Sequence, residues 1–303
     1  MKNNTKIFCI ICLISILILI WSLSRNNLVE NFENKENIAI IFSGNLRTYK
    51  ECFPTFKKNI LDILIPKYNI DIYCHFWDNE EKQQIEEAIK LYNPKKYVID
   101  KQINYILPDF CHGLYFHKST NISDILKSIK DKKFPYNTIQ GHVNQKYGIF
   151  KGNLLSKEIN NYKFKFRIRY DNYFTTKLDI NDINEIKNKE IYVGYGHTKY
   201  LNNYQTNVND AFAYGLSNDM DNYFSFYTHI SDILKSIKDK ELPDHYNYLY
   251  KCIAIELLYK FYLDYILKLK FKISSAEFGL KRSNGEMIFF KNCHYGYIGE
   301  IFY

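Results

Sequence analysis

Glycine and proline are scarce in this chain, 12 and 6 among 303 residues. That excludes collagen-like repeats, low-complexity linkers and loop-rich scaffolds. No long Lys/Arg block occurs, although the net charge is +8. A nucleic-acid binder usually concentrates its cations on one helix or arm, so no nucleic-acid partner is expected. The dispersed positive excess suits an anionic small substrate or a membrane surface. There is no GxSxG, no HExxH and no Walker loop. Their absence argues against lipase, zinc-protease and P-loop chemistry. The seven cysteines follow no metal-ligand spacing. Cys9 and Cys12 form a CxxC, but inside an apolar run. The other five are Cys52, Cys74, Cys111, Cys252 and Cys293, an odd set whose pairing the spacing does not reveal.

What is present is apolar and aromatic. Hydrophobic residues make up 46%, with 28 Tyr and 22 Phe, enough for a sizeable core. The N-terminus holds "IFCIICLISILILIWSL", residues 7–23, behind Lys2 and Lys6. As a helix this run spans roughly 25 Å, against about 30 Å for a hydrocarbon core. Positive charge stays on the cytoplasmic side. The run therefore reads as an N-terminal transmembrane helix, a signal-anchor over residues 1–24 ending near the interfacial Trp21. The protein is then a type II, single-pass membrane protein with its main domain luminal or extracytoplasmic. A cleaved signal peptide is the alternative, because Ser22 and Ser24 are small residues in a cleavage-like arrangement. Asn121-Ile122-Ser123 is a glycosylation sequon that a luminal domain could use.

Residues 25–36 are polar and read as a short stalk, leaving 37–303 as one domain. Its opening alternates in type. Ile38 to Phe42 is a strand, "CFPTFKKNILDILIP" has helical spacing up to Pro66, and Ile70 to Phe76 is a second strand. Such β-α-β succession predicts an α/β fold with a mostly parallel sheet flanked by helices. "EEKQQIEEAIKLY" reads as a surface helix and "KKYVID" as a third strand. "HVNQKYGIFKGNLLSKEINN" is helical in pattern, and "KEIYVGYG" a strand. "VNDAFAYGLSNDMDNYFSFY" is expected to turn and become a helix. Residues 249–267 form an apolar core helix, and the end suggests strands around a Ser-Asn-Gly turn. The segment "ISDILKSIKDK" occurs at 122–132 and again at 230–240 with apolar residues at i, i+3, i+4 and i+7. It predicts a duplicated amphipathic helix, with Ser123 as a cap for the first copy.

Ligands of open parallel sheets bind at the carboxyl ends of the strands. Three polar clusters are expected there. Ser43, Gly44, Asn45 and Arg47 follow strand one, where a glycine turn and an arginine suit phosphate. His75, Trp77 and Asp78 end strand two, where an indole could stack on a base and a carboxylate could take ribose hydroxyls. A half-buried Trp and a helix-capping Asp78 explain that cluster equally well. In "YKFKFRIRYDNYF", Arg167, Arg169 and Asp171 alternate with aromatics. Two arginines suit a diphosphate, and Asp171 suits Mg²⁺ or Mn²⁺. A strand with one wet face accounts for the same alternation. Asp210 is a second candidate carboxylate.

These motifs, in this order, resemble a sparsely characterised glycosyltransferase-like family found in polysaccharide-synthesis settings and large viruses. Its members read approximately "SGQLRT…DIFIHTWD", then "VIRTRPDLYF", then "NDQFAFG". The counterparts are Ser43 to Thr48, Asp71 to Asp78, Arg167 to Asp171, and Asn209 to Gly215. The resemblance implies a GT-A-like sheet and a nucleotide-sugar-dependent enzyme, with Arg167-x-Arg169-x-Asp171 where an Asp-x-Asp metal motif often lies. It implies a glycosyltransferase with a nucleotide-sugar donor and a glycan or glycoconjugate acceptor. Ser43, Gly44, Arg47, His75, Trp77, Asp78, Arg167 and Arg169 would bind the donor. Asp171 would bind a divalent metal, Mn or Mg, or the sugar, and Asp210 would act as general base. The chain departs from the pattern at Asn45, Ile168, Tyr170 and Ala211, the last replacing a Gln. Those departures motivate the alternative, a non-catalytic carbohydrate-binding or scaffold protein on a degenerate transferase fold.

Overall fold

The computed structural model describes residues 14–21, 35–106, 136–158, 161–194, 210–239 and 255–289. The chain separates into two units, Met1–Glu36 and Asn37–Tyr303. In the first, residues 14–21 are helical and expose Ile14, Leu17 and Trp21. Among the described residues no helix is long and apolar enough to cross a membrane. The rest of the apolar run at 7–23 and nearly all of the stalk lie outside the described residues, as do the sequon and the first copy of the repeat.

The second unit is built on a seven-stranded sheet. In chain order its strands are β1 (Asn37–Phe42), β2 (Asn69–Trp77), β3 (Lys96–Asp100), β4 (Phe164–Ile168), β6 (Glu190–Val193), β7 (Phe212–Leu216) and β8 (Lys270–Ile273). Their spatial order is β3-β2-β1-β4-β7-β6-β8. Every pairing is parallel except the two that β7 makes, with β4 and β6. A smaller antiparallel sheet joins β5 (Asn172–Phe174), β9 (Phe278–Lys281) and β10 (Met287–Phe289) in the order β10-β9-β5. The α/β class and mostly parallel sheet expected from the β-α-β opening are present. Strand β7 corrects the expectation of a turn running straight into a helix. "FAYGL" abuts the helix directly, and a reversed strand is specified by distant partners that no local pattern names.

Helices cover both faces, as a mostly parallel sheet requires. On one face lie α1, continuous through Tyr49–Phe56, Lys57–Leu61 and Asp62–Leu64, and α2 (Lys82–Tyr92). They enclose Phe42, Phe56, Tyr92, Phe166 and Tyr170 in one core. The other face carries α3 (Tyr136–Lys157), α5 (Ser217–Phe224), α6 (Phe226–Asp239) and α7 (Ile255–Phe261). A short α4 (Ile180–Asn184) is capped by the Asp179 carboxylate, which accepts from the Asn181 N–H. The second copy of the repeat forms α6 and buries Ile230, Ile233, Leu234 and Ile237, as its spacing predicts. Helix α3 lies close over β1: a Cβ at Gly152 would come within 2.7 Å of Ile41 Cγ2.

Strand β4 is central, and all five of its residues are buried. Phe164, Phe166 and Ile168 enter the α1/α2 core. The other face is polar yet dry, so the wet-face reading of the alternation does not hold. Lys165 donates to Asp221 Oδ1 at 2.6 Å and to Asn153 Oδ1 at 3.0 Å. Sequence alternation shows which residues share a face, but helices from elsewhere in the chain decide whether water reaches it. Cys52 and Cys74 are free and buried, and burial pushes their thiols up to about 11 and about 12.

Candidate functional site

The carboxyl ends of β1, β2 and β4 open on one side of the sheet. Ser43 and Gly44 turn the chain out of β1. Gly44 has φ +124, a conformation that favours glycine, and a Cβ there would lie 3.9 Å from Arg169 Cγ. The Ser43 N–H donates to the Ile168 carbonyl at 3.4 Å, stitching this turn to the end of β4. The next residues lead into α1, where the Leu46 N–H donates to Glu80 Oε1 at 3.1 Å.

Asp171 is the centre of the arrangement. It is 1% exposed and is held by Arg169 in a two-pronged pair, Nε to Oδ1 and Nη2 to Oδ2, both at 2.8 Å. Arg47 Nη1 lies 3.7 Å from Asp171 Oδ2, so the two distant motifs meet as the chain order suggested. A third guanidinium, Arg282, brings Nη1 to 3.5 Å from the same oxygen. Arg47 and Arg282 keep side-chain exposures of 37% and 30%, so both stay partly open to solvent beside the carboxylate.

A second carboxylate, Asp210, precedes β7 and pairs with Lys146 of α3 at 2.5 Å. The Lys146 ammonium also sits 3.9 Å from the Tyr259 ring centroid. Burial pushes the Asp210 carboxyl up, but Lys146, Arg169 and Arg167 outweigh it and hold it well below the usual range. Burial likewise lowers the Arg169 guanidinium, and Asp171 with Asp210 reverses that and leaves it raised. Arg47, Arg167, Arg169, Arg282 and Lys146 bring more positive charge than Asp171 and Asp210 cancel.

Several expected donor-binding residues stand elsewhere. Arg167 is fully buried and donates Nη1 to the Ser43 carbonyl at 3.1 Å and to the Ile168 carbonyl. It braces the β1–β4 junction and is walled off from any ligand at the strand ends. Burial lowers its guanidinium to about 10. His75 is also fully buried, with a Gly148 of α3 packed against its ring. Trp77 is 3% exposed, set edge-on to His75 at 4.4 Å and stacked on Tyr147 at 6.1 Å. Its indole fills core and offers no face to a base. Asp78 is exposed, and α2 begins after Glu81, so Asp78 caps nothing there. Ser43 is buried, with its Oγ unpartnered among the described residues.

Lys146 and Arg282 carry no motif that sequence reasoning could have used. Arg282 is placed by backbone. The Lys281 N–H donates to the Asp171 carbonyl at 2.9 Å, and Thr48 Oγ1 donates to the Lys281 carbonyl at 2.8 Å. Pairing of β5 with β9 sets Asn172 opposite Leu280.

The donor set around Asp171 does not fit a divalent metal. Mg²⁺ and Mn²⁺ need carboxylate oxygens with lone pairs to spare. Both oxygens here already accept from Arg169, and two more guanidiniums approach one of them. A divalent ion on that carboxylate would sit among three like charges. Among the described residues no group of three or more His, Cys, Asp or Glu could hold a metal.

No protein-family model matches the chain, and no curated protein sequence matches it. Among solved structures, core-mannan synthase A from Aspergillus fumigatus, in a Mn/GDP form, is similar at TM-score 0.39 and 11% identity, over 77% of this chain and 70% of that one. Mouse xyloside xylosyltransferase 1, in its apo form, gives TM-score 0.38 and 10% identity over 78% and 84%. The apo glycosyltransferase GlyE from Streptococcus pneumoniae TIGR4 gives 0.37 and 11% over 79% of this chain and 45% of its own.

Proposed function

We propose that this protein is a membrane-anchored glycosyltransferase that moves a sugar from a nucleotide-sugar donor to a glycan or glycoconjugate acceptor. One observation carries the reading: Arg47, from the turn after β1, meets Arg169 and Asp171, from the end of β4, where positive charge is in surplus. A strand-end cluster of that charge fits a nucleoside diphosphate group. The fold class that the motif resemblance implies, a GT-A-like sheet, accords with the mostly parallel strand order.

In the proposed reaction the bond from the sugar C1 to the diphosphate oxygen breaks. A bond from an acceptor hydroxyl oxygen to C1 forms, and the hydroxyl proton passes to the freed oxygen of the departing diphosphate. Negative charge develops on the departing diphosphate. Arg47 and Arg169 stabilise it, an interaction stronger in the transition state than in the ground state. Gly44 lets the donor approach the backbone beside Arg169. Arg167 contributes indirectly, by fixing the Ser43 carbonyl and so the turn that carries Arg47. Proton abstraction wants a base whose pKa lies near the working pH. Asp210 is held far below that by Lys146, so we assign it to orienting Lys146 and supplying counter-charge to Arg169 in place of the base role suggested by its motif.

That same pairing favours the second reading, a protein that binds nucleotide-sugars or glycans without turnover. The test is to incubate the full-length protein with a panel of nucleotide-sugars and acceptors and to measure released nucleoside diphosphate. Release with one donor is the expected result. Binding of a donor without release would establish the second reading, and neither binding nor release would remove both. The anchor at residues 1–24 is tested by alkaline extraction of membranes, from which an anchored chain stays in the pellet.

A further inference from the structure

We infer that Arg282, on the hairpin between β9 and β10, completes a three-arginine clasp that binds a diphosphate without a metal ion. The inference rests on the transferase reading for its biological meaning, but not for its chemistry. Three guanidiniums, from Arg47, Arg169 and Arg282, converge on the single carboxylate of Asp171. They reach it from the turn before α1, the end of β4 and the β9–β10 hairpin. Asp171, with Asp210 acting on Arg169 and Glu286 on Arg282, is still outnumbered by Arg47, Arg167, Arg169, Arg282 and Lys146, so the cluster remains an anion site.

The geometry separates two jobs. Arg169 spends its Nε and Nη2 donors on Asp171 in short, aligned bonds. Arg47 and Arg282 stand at 3.7 and 3.5 Å, beyond good hydrogen-bond length, and both keep solvent access. Their remaining N–H groups are available to an incoming anion. Phosphate oxygens accept two-pronged bonds from such forks. The hairpin that presents Arg282 is closed by its own backbone hydrogen bonds. Arg282 N–H donates to the Glu286 carbonyl at 2.8 Å, Gly285 N–H to the Arg282 carbonyl at 2.9 Å, and Gly285 takes φ +82. The Lys281 side chain pairs with Glu51 of α1, which fastens the hairpin beside the turn bearing Arg47.

Asp171 then plays a part opposite to that of a metal ligand. It holds the arginines together while the site is empty, and an arriving diphosphate takes over part of its role as counter-charge. A metal-bridging carboxylate is indispensable for diphosphate binding; a clasp-holding carboxylate competes with it.

Calorimetric titration of the full-length protein with inorganic pyrophosphate, in buffer containing EDTA, tests this. Pyrophosphate is expected to bind without metal. Arg282→Gln should weaken it by about tenfold or more, the loss of one charge-assisted hydrogen-bonding group. Lys235→Gln, on the exposed face of α6, should leave it unchanged. Asp171→Asn should bind pyrophosphate as tightly as the wild type or more tightly. Binding that needs Mn²⁺, or is indifferent to Arg282→Gln, or is abolished in folded Asp171→Asn, would overturn the inference. If Asp171→Asn does not fold, the EDTA and Arg282→Gln arms decide. Metal-free, Arg282-dependent pyrophosphate binding without turnover of any donor would keep the clasp and remove the transferase. Mn²⁺-dependent turnover untouched by Arg282→Gln would do the reverse.

Discussion

Asp171→Asn is expected to lower the unfolding free energy by about 3–5 kcal/mol, the cost of removing one partner from a buried ion pair. The side chain is 2% exposed and faces three guanidiniums. An amide of the same shape keeps the volume and loses the charge. One of its two polar ends then points N–H groups at Arg169, donor against donor. Arg169 is only 16% exposed on its side chain and cannot regain full hydration without opening the β4 end. Denaturant unfolding of wild type and variant measures the loss. Asp78→Asn is the control, because Asp78 is exposed, and exposed positions generally stay within about 0.5 kcal/mol. A loss below about 1 kcal/mol for Asp171→Asn would mean that the arginines rehydrate freely and that no clasp exists. Added pyrophosphate should restore part of the lost stability, since a ligand that binds only the folded state stabilises it.

The second large effect concerns pH. His75 is fully buried, and although Asp100 Oδ2 stands 3.4 Å from its Nε2, burial, followed by the nearby Lys151 and Arg167, outweighs that carboxylate and pushes its imidazole down to about 3. In the unfolded chain the ordinary value is about 6.5. Below that pH the unfolded state takes up a proton that the folded state refuses until about pH 3. The stability His75 contributes is therefore whole above pH 6.5 and declines as pH falls through that window, by about 1.4 kcal/mol per pH unit. From pH 6.5 to 5.0 the loss is roughly 2 kcal/mol. His75→Gln should remove this slope while leaving that of the carboxylates, which both proteins share. Unfolding free energies at both pH values give the comparison. Equal slopes would mean that folded His75 carries a proton, held by Asp100 in spite of its burial against Gly148 and Trp77.

Much of the frame was legible before the structure. Ile38 to Phe42, the helical spacing that follows and Ile70 to Phe76 are local patterns, and local patterns set β1, α1 and β2. The meeting of Arg47 with Asp171 was legible from motif order plus one rule, that strand ends share a crevice. The same reasoning failed where a third element decides the outcome. Arg167 and Arg169 look alike in sequence, two positions apart on one strand. Helices on the far face bury the first, while the strand's end leaves the second partly open. Trp77 looked like a stacking platform because nothing local shows that Tyr147 of α3 covers it. Arg282 follows a lysine in an ordinary hairpin, and only the pairing of β5 with β9 brings it to Asp171.

A crystal structure of the full-length protein with a nucleoside diphosphate, grown in EDTA, bears most directly on the whole account. The phosphates should lie over Asp171, within hydrogen-bond distance of Arg47, Arg169 and Arg282, with Arg167 and His75 still buried beneath. Phosphates bound elsewhere, or lying in this crevice with Arg47 and Arg282 turned away from them, would contradict it.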